Sequence, residues 1–298
     1  MIIKKEVLYL TKLLSGTKRS KELLTIFQEK TQKLKDYYQV SPKLVVITVG
    51  EDPASQVYVG QKEKKAHQIG FDFEWVKFPE TVPETELIAK IDELNADSKV
   101  NGMIVQLPLP QHLDERKMIE RISPDKDVDG FHPYNLGKLI ANQATVIPCT
   151  PKGILNLLKA HDITLSGKNV VIIGRSLIVG LPLQMLLTHE NATVTVCHTK
   201  TRDLKAHTKQ ADIIVVAAGK PGLLTKEHIQ SGAVVIDVGI NRLPDGRLAG
   251  DVAFEEVEDM VSAITPVPGG VGPMTVAMLM EQTLECACRQ HDIDYQTL

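Results

Sequence analysis

Short, unbroken runs of apolar and β-branched residues recur along this chain, each followed by a stretch with helical spacing. That alternation confines the fold to parallel sheets with helices packed on them, since parallel strands are buried on both faces and need crossover connections. KLVVITVG (43–50) reads as a buried strand ending at Gly50. Asp52-Pro53 then opens a helix running to about Gly70, with Asp52 as N-cap and Pro53 in the first turn. A strand at FDFEWVKF (71–78), a helix near 83–96 and a strand at GMIVQLPLP (102–110) complete a β-α-β-α-β series. Ahead of it, residues 20–38 carry apolar positions at helical spacing and predict a helix.

PDKDVDGFHPYNLGKLI (124–140) is rich in turn residues and long for a plain connection, which marks it as a functional loop. PCTPKGILNLLKAHDI (148–163) begins a helix that bridges into a second unit. There the alternation is more regular, with strands at 168–174, 192–198, 211–219 and 233–240 and helices at 180–190 and near 225–231. A short helix follows the second of these strands, and the series predicts a doubly wound, Rossmann-type sheet. SAITPVPGGVG (262–272) runs from a strand into a glycine-proline loop, and a helix near 274–290 closes the sequence. The expected fold class is therefore α/β: an N-terminal α/β/α domain with a parallel sheet (1–147), then a Rossmann-type nucleotide domain (148–273).

Length and charge narrow the partners. The 298 residues suffice for two domains of ordinary size, and a net charge of −3 provides no basic field for nucleic acid. MIIKKEVLYLTKLLSG never sustains the apolar run of a signal peptide, and no segment approaches the roughly 20 apolar residues that span a bilayer. Four scattered cysteines make no disulfide framework, and the C-x-C pair Cys286/Cys288 has no second pair at zinc spacing. A reduced, cytoplasmic protein acting on small molecules, without a metal, is the expectation.

In the second unit the first strand-to-helix turn reads Gly174-Arg175-Ser176-Leu177-Ile178-Val179-Gly180. It lacks the middle glycine of G-x-G-x-x-G, but it opens the first crossover of the series, where N–H groups at a helix start attract phosphate. The second strand ends in Cys197-His198-Thr199-Lys200-Thr201-Arg202, with no carboxylate before Asp203 to hold a ribose 2′-hydroxyl. Hydroxyls and cations there, with Arg175, suit a 2′-phosphate and favour NADP over NAD. Lys200 and Arg202 fit a solvated loop equally well.

A second constellation lies in the N-terminal half. Ser55, Tyr58 and Lys62 fall at i, i+3 and i+7, on one face of the predicted helix. Lys62, if partly buried, could act as acid and base. Spacing alone favours a solvated face, since Lys62, Lys64 and Lys65 form one short run. Gln106 follows the apolar strand, at the carboxyl end where ligands bind in open α/β sheets. Asp127 and Asp129 precede Gly130, and either could be a turn-capping Asx residue. The segment 266–273, PVPGGVGP, is more rigid than a linker and allows close backbone approach to a ligand.

Taken together, GEDPASQVYVGQKEKKAHQIGF, GMIVQLPLP, PDKDVDGFHPYNLGKL, PCTPKGI, GRSLIVGLP, ATVTVCHTKT and TPVPGGVGPMTVAML, in this order from about residue 49 to 280, resemble the bifunctional methylenetetrahydrofolate dehydrogenase/methenyltetrahydrofolate cyclohydrolase family. The first 40 residues match it poorly. The resemblance implies oxidation of 5,10-methylenetetrahydrofolate with NADP, hydrolysis of the product to 10-formyltetrahydrofolate, and a homodimer. It implies an active cleft between the two domains, with the C-terminal helix (274–298) completing the N-terminal one. Lys62 is then the catalytic lysine, Tyr58 stacks on the folate, Gln106 bonds near the lysine and Asp129 binds the pterin. Ser55, Val105 and Leu107 also line the substrate site, and Pro268, Gly269, Gly270, Val271 and Gly272 close on it. Gly174, Arg175, Ser176, Thr199 and Ile240 line the cofactor site; Thr199 replaces the serine of many relatives, and both supply a hydroxyl. A related dehydrogenase for shikimate or an amino acid would lack the DVDG and PVPGGVGP motifs, and a folate-binding protein without catalysis would have no need of Lys62 with Gln106.

Overall fold

The computed structural model describes residues 11–298, so the first ten residues of the segment read above for a leader lie outside it. The chain divides into two compact units. The first comprises Ser20–Cys149 with Thr275–Leu298; the second takes the residues up to Arg19 with Thr150–Met274. Strand β1 (Lys12–Leu13) therefore stands with the second unit, and helix α1 (Gly16–Tyr38) begins there.

In the first unit β2 (Lys43–Val49) is the middle strand of a three-stranded parallel sheet, flanked by β3 (Asp72–Phe78) and β4 (Gly102–Val105). Leu44, Val45, Val46 and Ile47 are all 0% exposed, which accounts for the unbroken apolar run. Helix α2 (Pro53–Gln68) joins β2 to β3, and α3 (Glu84–Ala96) joins β3 to β4. Val45 and Ile47 pack with Leu87, Ile91 and Leu94 of α3 and with Met118 of α4 (Glu115–Arg121). β4 stops well short of the expected residue 110, because Pro108 and Pro110 have no N–H to extend a ladder. The expected loop 124–140 also contains a helix, α5 (Pro133–Ile140), started by Pro133 and by the His132 ring, which accepts from the Tyr134 N–H.

The second unit starts with α6 (Cys149–Ala160) and centres on a six-stranded sheet, ordered β1-β11-β8-β7-β5-β6 and parallel throughout. Its strands are β5 (Asn169–Ile173), β6 (Thr193–Cys197), β7 (Ile213–Val216), β8 (Val234–Asp237) and β11 (Ala263–Ile264), with β1 at the edge. Helix α7 (Gly180–His189) and the short α8 (Leu204–Thr208) make the first crossovers. The helix expected near 225–231 is a single 3₁₀ turn, Lys226–His228. A hairpin of β9 (Asn241–Arg242) and β10 (Leu248–Ala249) and the one-turn α9 (Phe254–Val257) were not foreseen. Helix α10 (Val271–Gln290) starts three residues earlier than expected, inside the glycine-proline motif. Strand order reverses at β5, which has β6 on one side and β7 on the other, and the carboxyl ends there form the crevice where such folds hold ligands.

All four cysteines are buried, and none is in a disulfide among the described residues. Among the described residues no His, Cys, Asp or Glu group could hold a metal, and no helix is long and apolar enough to cross a membrane.

Candidate active site

Helix α2 is started as its sequence dictates. The Asp52 carboxylate accepts from the Ser55 N–H at 2.7 Å, and hydrogen bonds from Ser55 hold Asp52 below the usual carboxylate range. Ser55 is thus buried and turned back onto the cap, whereas Tyr58, one turn on, is 40% exposed. Lys62 is half-buried and donates from Nζ to Gln106 Oε1 at 2.9 Å. The Gln106 amide is oriented by its other end, Nε2 donating to the Leu107 carbonyl at 2.8 Å. Its backbone N–H bonds the Ile47 carbonyl, so β2 fixes the residue after β4. Val105 is buried at the end of β4, and Leu107 packs against the core below. The charged run is therefore no uniform solvated face: Lys62 is the member that reaches a strand end.

Asp127 and Asp129 prove to be unlike. Asp127 Oδ1 accepts from the Gly130 and Phe131 N–H groups, and Oδ2 from the His132 N–H and Asn135 Nδ2. It is 2% exposed, and it supplies the cap that sequence left open between the two acids. Asp129 accepts no hydrogen bond from any described residue and keeps some accessible surface although protein surrounds it. Burial pushes its carboxyl above the ordinary range, the charge of Lys62 opposes that rise, and Asp127 adds to it. The Coulombic coupling also places Lys62 and Asp129 in one electrostatic neighbourhood. From α10, Gln282, 1% exposed, accepts from the Ile147 N–H and donates to the Val128 carbonyl, tying down the segment that carries Asp129.

The nucleotide side is built from backbone. Gly174 has φ +128°, and a Cβ on it would lie 2.3 Å from the Ala217 carbonyl oxygen. A Cβ on Gly180 would lie 2.2 Å from the Gly174 carbonyl oxygen, so both glycines are required by close approach. Ser176 Oγ accepts from the Val179 N–H, while Arg175 and Thr199 are exposed. Asp203, the first acid after β6, caps α8 by accepting from the Ala206 N–H. Ile240 is 45% exposed, and its Cδ1 would be 3.5 Å from a Cβ on Gly272. Within the unit the loop 268–272 and Ile240 are thus neighbours.

Sequence reasoning missed two buried acids here. Asp251 accepts from the Ala218 and Gly219 N–H groups and from Asn241 Nδ2. Asp237 accepts from the N–H groups of Gly239, Asp251 and Val252, and burial pushes its carboxyl up to about 6. They hold the chain that leaves β7 and β8. An aspartate closing the apolar run VVID was the available signal. A depression of about 340 Å³, lined by Asn169, Thr193, Thr195 and His207 among others, contains none of the predicted site residues.

A Rossmann-type unit with a glycine-cradled crevice and a parallel-sheet unit with a strand-end lysine define a two-unit, nucleotide-dependent α/β enzyme. Comparison with known proteins narrows that class. Residues 14–129 match the tetrahydrofolate dehydrogenase/cyclohydrolase catalytic domain, and residues 148–291 the NAD(P)-binding domain of the same family. A "bifunctional protein FolD" of Ligilactobacillus salivarius is 55% identical over 277 residues, 93% of this chain and 97% of that one. The FolD methylenetetrahydrofolate dehydrogenase/cyclohydrolase of Campylobacter jejuni superposes with a TM-score of 0.92 at 48% identity, covering 94% of this chain and 99% of that one. The Trypanosoma brucei FolD enzyme, complexed with NADP and inhibitor, gives 0.89 at 38% identity over 94% and 98%. The chain belongs to the tetrahydrofolate dehydrogenase/cyclohydrolase family.

Proposed function

We propose that this enzyme oxidises 5,10-methylenetetrahydrofolate with NADP and hydrolyses the resulting 5,10-methenyl compound to 10-formyltetrahydrofolate. The observation that carries the reading is the pairing of Lys62 with Gln106 near an acid, Asp129, that has no hydrogen-bond donor among the described residues.

In the substrate the reacting methylene lies between two nitrogens, whose lone pairs help expel hydride. NADP, when bound, supplies the acceptor. That step asks the protein for alignment more than for a strong base. Tyr58 offers a ring for stacking, and Asp129 offers two acceptor oxygens to the pterin's amino group and ring nitrogen. Hydrolysis asks for more: the attacking water must lose a proton, and the departing ring nitrogen must gain one. Lys62 carries out both transfers, with one of its N–H bonds directed at Gln106 Oε1 so that the rest of the amine points elsewhere.

Gly174, Gly180 and the turn between them make a cradle that a dinucleotide phosphate fits, because side chains at either glycine would fill it. Arg175, Ser176 and Thr199 are exposed and open to the 2′-phosphate, and Asp203, the first acid after β6, has one of its oxygens engaged in capping α8. Ile240 and residues 268–272 complete the cofactor and substrate contacts. The reading also takes the enzyme to be a cytoplasmic homodimer using tetrahydrofolate derivatives, without nucleic acid or membrane. The family resemblance and the four free cysteines support it.

The test is an absorbance assay with methylenetetrahydrofolate and either NADP or NAD, following the reduced nicotinamide and the methenyl chromophore. Transient methenyl compound followed by its decay, faster with NADP, is expected. No cofactor reduction would overturn the proposal.

A further inference from the structure

The segment before residue 20, of which residues 14–19 fall inside the family match, is mated to the glycine-proline loop at backbone level. β1 pairs in parallel with β11, Lys12 with Ala263 and Leu13 with Ile264, and the Leu14 N–H bonds the Ile264 carbonyl at 2.8 Å. The two stretches therefore leave the sheet together, one into α1 and the other into residues 265–270. Ser15 Oγ accepts from the Lys18 N–H and caps α1, which puts Gly16 and Thr17 in its first turn. The first N–H groups of a helix have no partner within it. Here the Thr17 N–H donates to the Gly269 carbonyl at 2.9 Å, and the Thr17 hydroxyl donates to the same oxygen at 3.3 Å.

Gly16 decides how closely the two can approach. A Cβ there would lie 1.7 Å from the Gly270 carbonyl oxygen and 2.8 Å from its carbon. Those are backbone atoms with no flexible end to swing aside. The loop cannot retreat cheaply either: a Cβ on Gly270 would already be 2.5 Å from the Pro266 carbonyl oxygen, and Gly269 holds φ +104°.

We propose that Gly16 and Thr17 are positioning residues for folate, the first turn of α1 being the seat that fixes the substrate-closing loop Pro268–Gly272. This rests on the reading that the loop meets the folate. Neither residue touches the reacting atoms; they act through the carbonyls of Gly269 and Gly270.

The experiment measures Gly16→Ala in the full-length enzyme for both activities, with NADP affinity and thermal unfolding in parallel. Folate KM is expected to rise about tenfold or more in both activities, with kcat and the NADP Kd within about twofold of the parent. An unchanged folate KM overturns the proposal. So does a joint loss of folate affinity, NADP affinity and unfolding temperature, which would make Gly16 only a folding requirement. If Gly16→Ala does not fold, Thr17→Ala decides, with a smaller selective rise in folate KM expected and none overturning the idea. Pro268→Ala separates the two claims. If it leaves folate KM unchanged, the loop reading itself fails; if it raises KM while both helix variants do not, only the seat fails.

Discussion

The two units use the carboxyl ends of their parallel strands for different work. In the first, the end of β4 and the segments after it present side chains: Gln106 meets Lys62, and Asp129, within the field of Lys62, accepts no hydrogen bond from the described residues. In the second, the ends of β5, β7 and β8 present backbone, shaped by Gly174 and Gly180 and held by Asp237 and Asp251 from beneath. Acids occur in both, and one of them differs from the rest. Asp237 and Asp251 are spent on N–H groups, as is Asp127, whereas Asp129 is not. On the proposed function the first site does proton chemistry and needs free functional groups, and the second holds a charged, extended cofactor and needs a surface. Single side-chain changes should therefore remove a chemical step in the first unit, and alter affinity in the second.

The sharpest break in this comparison is Lys62→Met. Only hydrolysis requires protons to move in both directions, so cyclohydrolase activity should fall by roughly 10²–10⁴-fold, the range of a lost acid–base group. Fold and NADP binding should persist, since Lys62 makes its one hydrogen bond to Gln106 and supports no backbone. Near-normal hydrolysis of methenyltetrahydrofolate by this variant would return Lys62 to the charged helix face.

Next in size is Asp129→Asn. With the turn already capped by Asp127, a structural account predicts silence. If the carboxylate binds the pterin, the amide presents a donor where an acceptor is needed, costing about 2–5 kcal/mol of folate binding. Both activities should weaken together while NADP affinity stays constant. The pH behaviour sharpens the point. Burial raises the folded-state pKa of Asp129 above the ordinary 3.8, so its contribution to stability is full below that value and is lost as pH rises through the raised one. At neutral pH, without folate, the asparagine variant should therefore unfold at a higher temperature than the parent. A variant that is less stable and binds folate normally would make Asp129 a structural acid after all.

The difference between the units also explains what the sequence made legible. The alternation of apolar strands and helices was readable because parallel strands buried on both faces leave continuous runs, as β2 and β7 show. Gln106 stood out by its strand-end position, but spacing alone left Lys62 on a solvated face and only the family resemblance joined the two; the fold puts them 2.9 Å apart. Asp127 and Asp129 could not be told apart, since capping depends on where the N–H groups of residues 130–132 point. Several of the shortest elements escaped, among them β1, the β9–β10 hairpin and α9: so few residues show no period. Gln282 escaped for another reason: its partners Val128 and Ile147 are more than 130 positions away, and the bonds are to backbone, which leaves no pattern in residue types.

The smallest expected effect belongs to the second unit and tests whether its surface discriminates by charge. Arg175 follows the cradle glycine and is exposed, as are Thr199, Lys200 and Arg202 after β6. Asp203, the first carboxylate after that strand in sequence, accepts the Ala206 N–H through Oδ1 and caps α8. A 2′-phosphate should gain from Arg175, Lys200 and Arg202, a charge attraction that a 2′-hydroxyl lacks. NADP is expected to exceed NAD by at least about tenfold in kcat/KM, or about 1.4 kcal/mol. Arg175→Ala should narrow that gap mainly by raising the KM for NADP, leaving kcat and the KM for NAD almost unmoved, because only the phosphate loses a partner. Salt should weaken NADP binding in the parent more than in the variant, since the lost pair is exposed and screened. Equal use of both cofactors by the parent would mean that the loop after β6 is solvated surface. A variant losing NAD and NADP alike would instead make Arg175 part of the cradle itself, a contact to the shared pyrophosphate rather than to the 2′-phosphate.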